Sequence, residues 1–122
     1  MSLSILAVDD SRTMRDLLRL TLEEAGFLVT TAEDGADGVD KVIENKPDVI
    51  ITDINMPVMD GFGLIEAVRN GVCGTSVPIL VLSTESSPEL KDRARNIGAT
   101  GWIVKPFNDT TLISAIRRVA RV

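Results

Sequence analysis

Residues Val49–Gly61 read Val-Ile-Ile-Thr-Asp-Ile-Asn-Met-Pro-Val-Met-Asp-Gly, and this stretch decides the fold. It begins with an apolar, β-branched run that is typical of a strand buried on both faces of a parallel sheet. Asp53 follows where the apolar run ends, so its carboxylate is predicted at the carboxyl end of an interior strand, where open α/β sheets hold their ligands. Pro57 and the pair Asp60-Gly61 predict a loop followed by the start of a helix.

The same pattern of a strand followed by a helix recurs along the whole chain. The predicted strands are Ser4–Val8, Leu28–Ala32, Val49–Thr52, Ile79–Leu82 (ending at Ser83) and Trp102–Val104, and the predicted helix caps are Ser11, Asp34, Asp60, Ser87 and Asn108. In the second helix we expect Ala36, Val39 and Ile43 to face inward. Five strands alternating with five helices predict a doubly wound α/β fold, a parallel sheet with right-handed crossovers and a helical layer on each face.

Length and composition indicate one soluble domain, residues 1–122, with no output domain. The net charge of −5 argues against non-specific nucleic-acid binding, since phosphates would be repelled. The chain shows no apolar run long enough for a membrane helix and no signal peptide, so we expect a cytoplasmic protein without a membrane partner. The single Cys73 is interpreted as an incidental loop thiol.

The sequence contains no histidine, which excludes histidine-based triads, histidine-ligated metals and a phosphohistidine on this chain. Carboxylates, hydroxyls and ammonium groups are what remains for site chemistry. Such groups directly follow four of the predicted strands: Asp9 and Asp10, Asp53, Ser83, and Lys105. Because the carboxyl ends of parallel strands share one edge of the sheet, we expect these side chains to meet there.

If the first and third strands are neighbours in the sheet, the three carboxylates lie close together and raise each other's pKa values unless a positive charge neutralises them. A divalent cation with oxygen ligands does so, and few carboxylates with open positions favour Mg²⁺ over Ca²⁺. Taken singly, each residue has an ordinary alternative: an aspartate after a strand forms turns or caps helices, and a serine or lysine there is a loop or surface residue. We favour a functional site because all of them fall at the same edge.

These residues, in this order, resemble the receiver domain of the two-component response-regulator family, in particular its stand-alone chemotaxis type. The matching segments are Val8-Asp9-Asp10-Ser11, Asp53-Ile54-Asn55-Met56-Pro57, Asp60-Gly61, Ser83 and Lys105-Pro106-Phe107. The resemblance implies a flavodoxin-like sheet with the strand order 2-1-3-4-5. It also implies a cis peptide bond between Lys105 and Pro106.

By this resemblance, Asp53 is the phosphoacceptor, and its donor is a phosphohistidine on a histidine kinase or a histidine phosphotransfer protein. Asp10, Asp53 and the backbone carbonyl of Asn55 would bind Mg²⁺, with Asp9 acting mostly through water. Lys105 and the cation would neutralise charge on the transferred phosphoryl group. The chain would catalyse only its own phosphorylation and dephosphorylation, so we do not expect an enzyme acting on outside substrates.

The resemblance further implies a switch in which Ser83 donates its hydroxyl to the phosphoryl group and Trp102 turns toward the vacated space. Asn55 and Glu85 occupy the family's positions that modulate loss of the phosphoryl group. The expected docking surface for a protein target is the face formed by helix 4, strand 5 and helix 5, on a monomer.

The sequence leaves four functions open, the fourth being a degenerate receiver. The first is a diffusible regulator of the flagellar motor, and the second is a phosphate sink or phosphorelay intermediate. The third is a small aspartate-nucleophile phosphatase, which is disfavoured because Asn55 stands where such enzymes need a second aspartate. A receiver that works without phosphorylation is disfavoured by the intact set Asp10, Asp53, Ser83 and Lys105.

Overall fold

The strand predicted at Val49–Thr52 (β3) is fully buried and lies in the middle of a five-stranded parallel sheet. The computed structural model of the chain describes residues 2–71 and 76–120. The elements are β1 Ser4–Val8, α1 Arg12–Glu24, β2 Leu28–Ala32, α2 Gly35–Asn45, β3, α3 Gly61–Arg69, β4 Ile79–Ser83, α4 Pro88–Asn96, β5 Gly101–Val104 and α5 Asp109–Val119. Cys73 lies outside the described residues.

The strand order is β2-β1-β3-β4-β5, and every neighbouring pair is parallel. The predicted fold class and strand order are therefore confirmed. The strand bounds agree with the sequence prediction except that β4 includes Ser83 and β5 begins one residue earlier, at Gly101. No helix in the described ranges has both the length and the apolar character needed to cross a membrane.

All five predicted helix caps are confirmed. Each cap side chain accepts a hydrogen bond from the backbone N–H three residues later, which satisfies one of the free donors at a helix start. The pairs are Ser11 with Met14, Asp34 with Asp37, Asp60 with Gly63, Ser87 with Leu90, and Asn108 with Thr111. These caps fix where each helix begins and hence the length of the loops at the carboxyl edge of the sheet.

The core consists of two apolar clusters, one on each face of the sheet. The prediction that Ile43 faces inward is wrong: the residue is 53% exposed, while the neighbouring Val42 is 1% exposed. The buried stripe of α2 runs through Gly35, Gly38 and Val42. A Cβ at Gly38 would lie 3.3 Å from Leu64, so the helix approaches its neighbour along small residues that counting apolar side chains does not detect.

Helix α4 has little apolar anchorage, since Ala94 is its one fully buried residue. Two arginines add polar contacts to α3. The guanidinium carbon of Arg93 lies 3.9 Å from the centre of the Phe62 ring, a cation–π contact. Arg69 Nε donates to the carbonyl oxygen of Gly98, just beyond α4, at 3.0 Å. The position of α4 therefore depends on polar contacts as well as on burial.

Gly61 packs the start of α3 against the backbone that follows β3, next to Asp53. Its N–H donates to the Ile54 carbonyl at 2.9 Å. A Cβ added at Gly61 would overlap the carbonyl oxygen of Asp53 and come 2.9 Å from the Ile54 Cα. Both are backbone atoms, which cannot move away without displacing the loop after β3.

We expect Gly61→Ala to lower the free energy of unfolding by about 2 kcal/mol or more, because the added methyl group meets backbone. Gly63→Ala, two residues later, is the matched control, since its Cβ would meet the flexible Met59 side chain at 2.8 Å. That control should stay within about 1 kcal/mol of the wild type, helped by the better helix propensity of alanine. Urea unfolding measures both variants. Equal losses of unfolding free energy would contradict the close packing of Gly61 against the backbone after β3.

Candidate functional site

The parallel ladder places two aspartates side by side at the carboxyl edge of the sheet. Val8 pairs with Thr52, the last residues of β1 and β3. One residue further, the Asp53 N–H donates to the Val8 carbonyl at 3.0 Å, and the Asp9 N–H donates to Ala32 at 3.1 Å. Asp9 and Asp53 therefore leave adjacent strands at the same level.

Asp9, Asp10 and Asp53 form an acidic cluster in which one carboxylate oxygen of each lies within 4.8 Å of the others. Asp9 is buried, Asp53 is half-buried and Asp10 is exposed. Three oxygen ligands with one side open to solvent fit a small, hard divalent cation that keeps several waters. The sequence-based expectation that these three residues come together is met, and Asn55 lies exposed on the loop two residues beyond Asp53.

Lys105 provides the positive charge within this cluster. Its ammonium nitrogen donates to Asp9 Oδ2 at 2.7 Å and to Asp53 Oδ2 at 2.9 Å, and its side chain is 10% exposed. Burial by itself would lower the pKa of Lys105, but the hydrogen bonds and charges of the two carboxylates outweigh burial and raise it. The Lys105–Pro106 peptide bond is cis, as expected.

The carboxylate of Asp53 is held at both oxygens. Oδ1 accepts the N–H of Ile54 at 2.7 Å, and Oδ2 accepts the ammonium of Lys105 at 2.9 Å. Since its exposed fraction is 13%, the group is oriented but reachable from solvent. A fixed carboxylate beside one half-buried ammonium group and a candidate metal position can receive an anionic reactant whose charge these cations neutralise.

Ser83, Glu85 and Trp102 are linked by hydrogen bonds next to the cluster. Ser83 is fully buried, and its Oγ accepts the Glu85 N–H at 3.2 Å. The Glu85 carbonyl accepts the indole N–H of Trp102 at 2.9 Å. The Ser83 carbonyl also accepts the backbone N–H of Lys105 at 2.8 Å. The loop after β4 is thus connected both to the cation of the cluster and to the indole on β5.

Arg15 is a residue at this site that the sequence reasoning did not single out. Its Nη1 donates to the backbone carbonyl of Asp9 at 2.8 Å. The sequence signal for it is its place one helical turn after the Ser11 cap, because helical side chains lean toward the helix N-terminus. The acceptor is a main-chain oxygen, which no pairing of charged residues along the sequence would reveal.

The raised pKa of Lys105 predicts a specific alkaline loss of stability. A folded-state pKa above the unfolded value contributes stability that is fully present below about 10.5, the ordinary lysine value, and is lost as pH rises through the folded pKa. In metal-free buffer, we expect the wild type to lose unfolding free energy relative to Lys105→Met as the pH rises above that value. Unfolding of both proteins in urea from pH 9 to 11.5 measures it, with Lys46→Met as the exposed control. Parallel wild-type and Lys105→Met curves would contradict the bridge.

Comparison with known proteins gives the same fold and the same kind of domain. CheY4, a chemotaxis protein of Vibrio cholerae, superposes with a TM-score of 0.93 at 47% sequence identity, covering 98% of this chain and 99% of that one. A Francisella response regulator receiver domain gives a TM-score of 0.90 at 28% identity, covering 98% and 97%.

Curated relatives include the transcriptional regulatory protein PrrA of Mycobacterium bovis and of Mycobacterium tuberculosis, each 38% identical over 117 residues. The match covers 96% of this chain and 49% of each relative, so the chain spans about half the length of the curated relatives it matches. The response regulator receiver domain family matches residues 5–117. The chain therefore belongs to the response regulator receiver domain family, and it is CheY-like in fold.

Proposed function

We propose that residues 1–122 act as one receiver domain that accepts a phosphoryl group on Asp53 from a phosphohistidine of a partner protein. The observation that carries this proposal is the Lys105 ammonium bound to both Asp9 and Asp53 at the open edge of the sheet. In the transfer, a bond forms between an Asp53 oxygen and phosphorus while the donor's nitrogen–phosphorus bond breaks. Residues 1–122 contain no histidine, so the phosphohistidine lies outside them, on a histidine kinase or a phosphotransfer protein.

The acidic cluster would hold Mg²⁺ through Asp10, Asp53 and the backbone carbonyl of Asn55, with Asp9 contributing through water. When bound, the cation supplies neutralisation of the equatorial phosphoryl oxygens. Lys105, which follows β5, supplies a second positive charge at the same edge of the sheet. Asn55 and Glu85 would set how readily water removes the phosphoryl group, since both lie on loops that border the cluster.

Phosphorylation would be transmitted through Ser83 and Trp102. Ser83 Oγ accepts from Glu85, which leaves its hydroxyl hydrogen free to donate to a phosphoryl oxygen. A shift of this loop toward Asp53 would displace the Glu85 carbonyl, which is the partner of the Trp102 indole. Phosphorylation would then shift the balance between two arrangements of the loop and the indole.

The output surface proposed is the face formed by α4, β5 and α5. A cavity of about 260 Å³ lies between α4 and β5, lined by Lys91, Ala94, Arg95, Ala99, Thr100, Gly101 and Trp102. The chain is acidic overall, yet residues 69–122 carry eight basic and four acidic side chains. Two cations beside an apolar floor favour an acidic, amphipathic target segment.

Chemotaxis is the leading context because CheY4 of Vibrio cholerae matches at 47% identity over nearly its whole length. The target would then be a flagellar motor switch protein, reached in the cytoplasm by a monomer that binds neither membrane nor nucleic acid. A second context is transcriptional control, which is favoured by the 38% identity to PrrA. A phosphate sink or phosphorelay intermediate would show phosphorylation without either output. A phosphatase acting on outside substrates is disfavoured by Asn55 at the position of the general acid.

Trp102 is the single tryptophan, so its fluorescence reports on the switch. We expect a fluorescence change on adding Mg²⁺, a further change with acetyl phosphate or fluoroberyllate, and covalent incorporation of labelled phosphate from acetyl phosphate. Asp53→Asn should abolish the incorporation and the second fluorescence change, while Asp16→Asn, an exposed change on α1, should leave both intact. A wild type that takes up no phosphate and shows no change would reject the mechanism.

Binding of a flagellar motor switch peptide tests the output surface. We expect the fluoroberyllate-bound form to bind the peptide at least about tenfold more tightly than the free form. The double variant Lys91→Glu, Arg95→Glu should lose this binding, because both cations line the cavity. Arg12→Glu is the control, since Arg12 is exposed on α1. Phosphorylation without any peptide binding would reject the motor context and leave the sink, relay or transcriptional contexts.

A further inference from the structure

We propose that Arg15 is a positioning residue for the acidic cluster, and that it acts by holding the peptide bond between Asp9 and Asp10. The proposal rests on the proposed function only in taking the cluster to be a divalent-cation site. Its structural basis is the hydrogen bond of 2.8 Å from Arg15 Nη1 to the backbone carbonyl of Asp9. This carbonyl belongs to the peptide unit from which Asp10 departs.

Asp9 is immobilised at every polar atom. Its N–H donates to the Ala32 carbonyl at 3.1 Å, and its carboxylate accepts from the Ser11 N–H at 2.9 Å and from Lys105 at 2.7 Å. Arg15 binds the one remaining polar atom, the carbonyl oxygen. Asp9 is 2% exposed, so water cannot readily replace a lost partner.

Asp10, unlike Asp9, has no side-chain contact that fixes it among the described residues. Its side chain is exposed and has no hydrogen-bond or ionic partner among residues 2–71 and 76–120. Its direction therefore comes from the backbone on either side. The preceding carbonyl is held by Arg15, and the following N–H, that of Ser11, is held by the Asp9 carboxylate. Removing the Arg15 contact frees the peptide unit that sets where the Asp10 carboxylate points.

The position of Arg15 is set by the first turn of α1. Its backbone N–H donates to the Ser11 carbonyl at 2.9 Å in the first turn of α1, which directs the side chain back toward the end of β1. Its charge also acts on Asp37 in the first turn of α2. Burial raises the pKa of Asp37, but Lys41, the Glu33 N–H and, more weakly, Arg15 lower it overall. The one hydrogen bond of the guanidinium among the described residues is the one to the Asp9 carbonyl.

Two roles of Arg15 have to be separated: a hydrogen bond that orients Asp10, and a positive charge that merely offsets nearby carboxylates. A charge effect is shared by Arg12, which is exposed on the same helix and forms no contact with the Asp9–Asp10 peptide. The orienting effect belongs to Arg15 alone and acts through Asp10. A long-range charge effect is also weakened by salt, whereas a direct, part-buried hydrogen bond is weakened much less.

The test measures binding of Mn²⁺ by electron paramagnetic resonance, with Mg²⁺ in competition, in 0.1 M salt. We expect Arg15→Met to raise the dissociation constant about tenfold, the usual cost of losing an outer contact that orients a ligand. Arg12→Met should change it less than twofold. In the Asp10→Asn background, Arg15→Met should change the weaker remaining affinity less than twofold, because its target has been removed.

Arg15→Lys keeps the charge and one donor, so it should recover most of the lost affinity; urea unfolding in metal-free buffer checks that each variant is folded. Should Arg15→Met fail to fold, Arg15→Ala with and without Asp10→Asn carries the comparison, because alanine also removes the hydrogen bond to the Asp9 carbonyl. Equal effects of Arg15→Met and Arg12→Met, an undiminished effect in Asp10→Asn, or no cation binding by the wild type would overturn the proposal. Phosphate incorporation into Asp53 is measured separately, so its failure would reject the proposed function and not the role of Arg15.

Discussion

The interaction on which the site depends is the bridge from the Lys105 ammonium to the carboxylates of Asp9 and Asp53. The parallel ladder brings the two aspartates together at the ends of β1 and β3, where their charges repel each other. The lysine offsets that repulsion from a position 52 residues beyond Asp53 and 96 beyond Asp9. Burial would favour a neutral amine, and the paired carboxylates keep it charged. The bridge therefore joins the three strand ends that make the site.

The same lysine connects the acidic cluster to the loop after β4 and to the indole on β5. Its backbone N–H binds the Ser83 carbonyl, and Ser83 continues through Glu85 to the Trp102 indole. Beside this chain of contacts lies α4, which has one fully buried residue. Because α4 is held mainly by polar contacts and by partly buried side chains, a change in its position breaks few fully packed contacts. The charged groups at the sheet edge are therefore connected, through Ser83, Glu85 and Trp102, to the side of β5 that α4 borders.

Most of the fold could be predicted because its signals are local. Helix caps depend on one side chain and the N–H three residues later, and buried strands show as apolar runs, so Ser11 and β3 were found from sequence. The face of α2 was assigned wrongly at Ile43, since Gly38 permits a close approach that has no apolar signature. Arg15 and the contact of Arg93 with Phe62 were missed because their partners, a carbonyl oxygen and an aromatic ring, come from other elements.

The sequence by itself determined the alternation of strands and helices, the sheet edge at which Asp9, Asp10, Asp53, Ser83 and Lys105 collect, and the exclusion of histidine chemistry. These follow from periodicity, caps and composition, which need no knowledge of distances. Only the tertiary structure decided that Lys105 bridges two aspartates, that Ser83 Oγ accepts from Glu85, and that Arg15 holds the Asp9 carbonyl. These three contacts depend on the sub-ångström placement of groups that are distant in sequence. The packing of the whole sheet and its helices sets that placement.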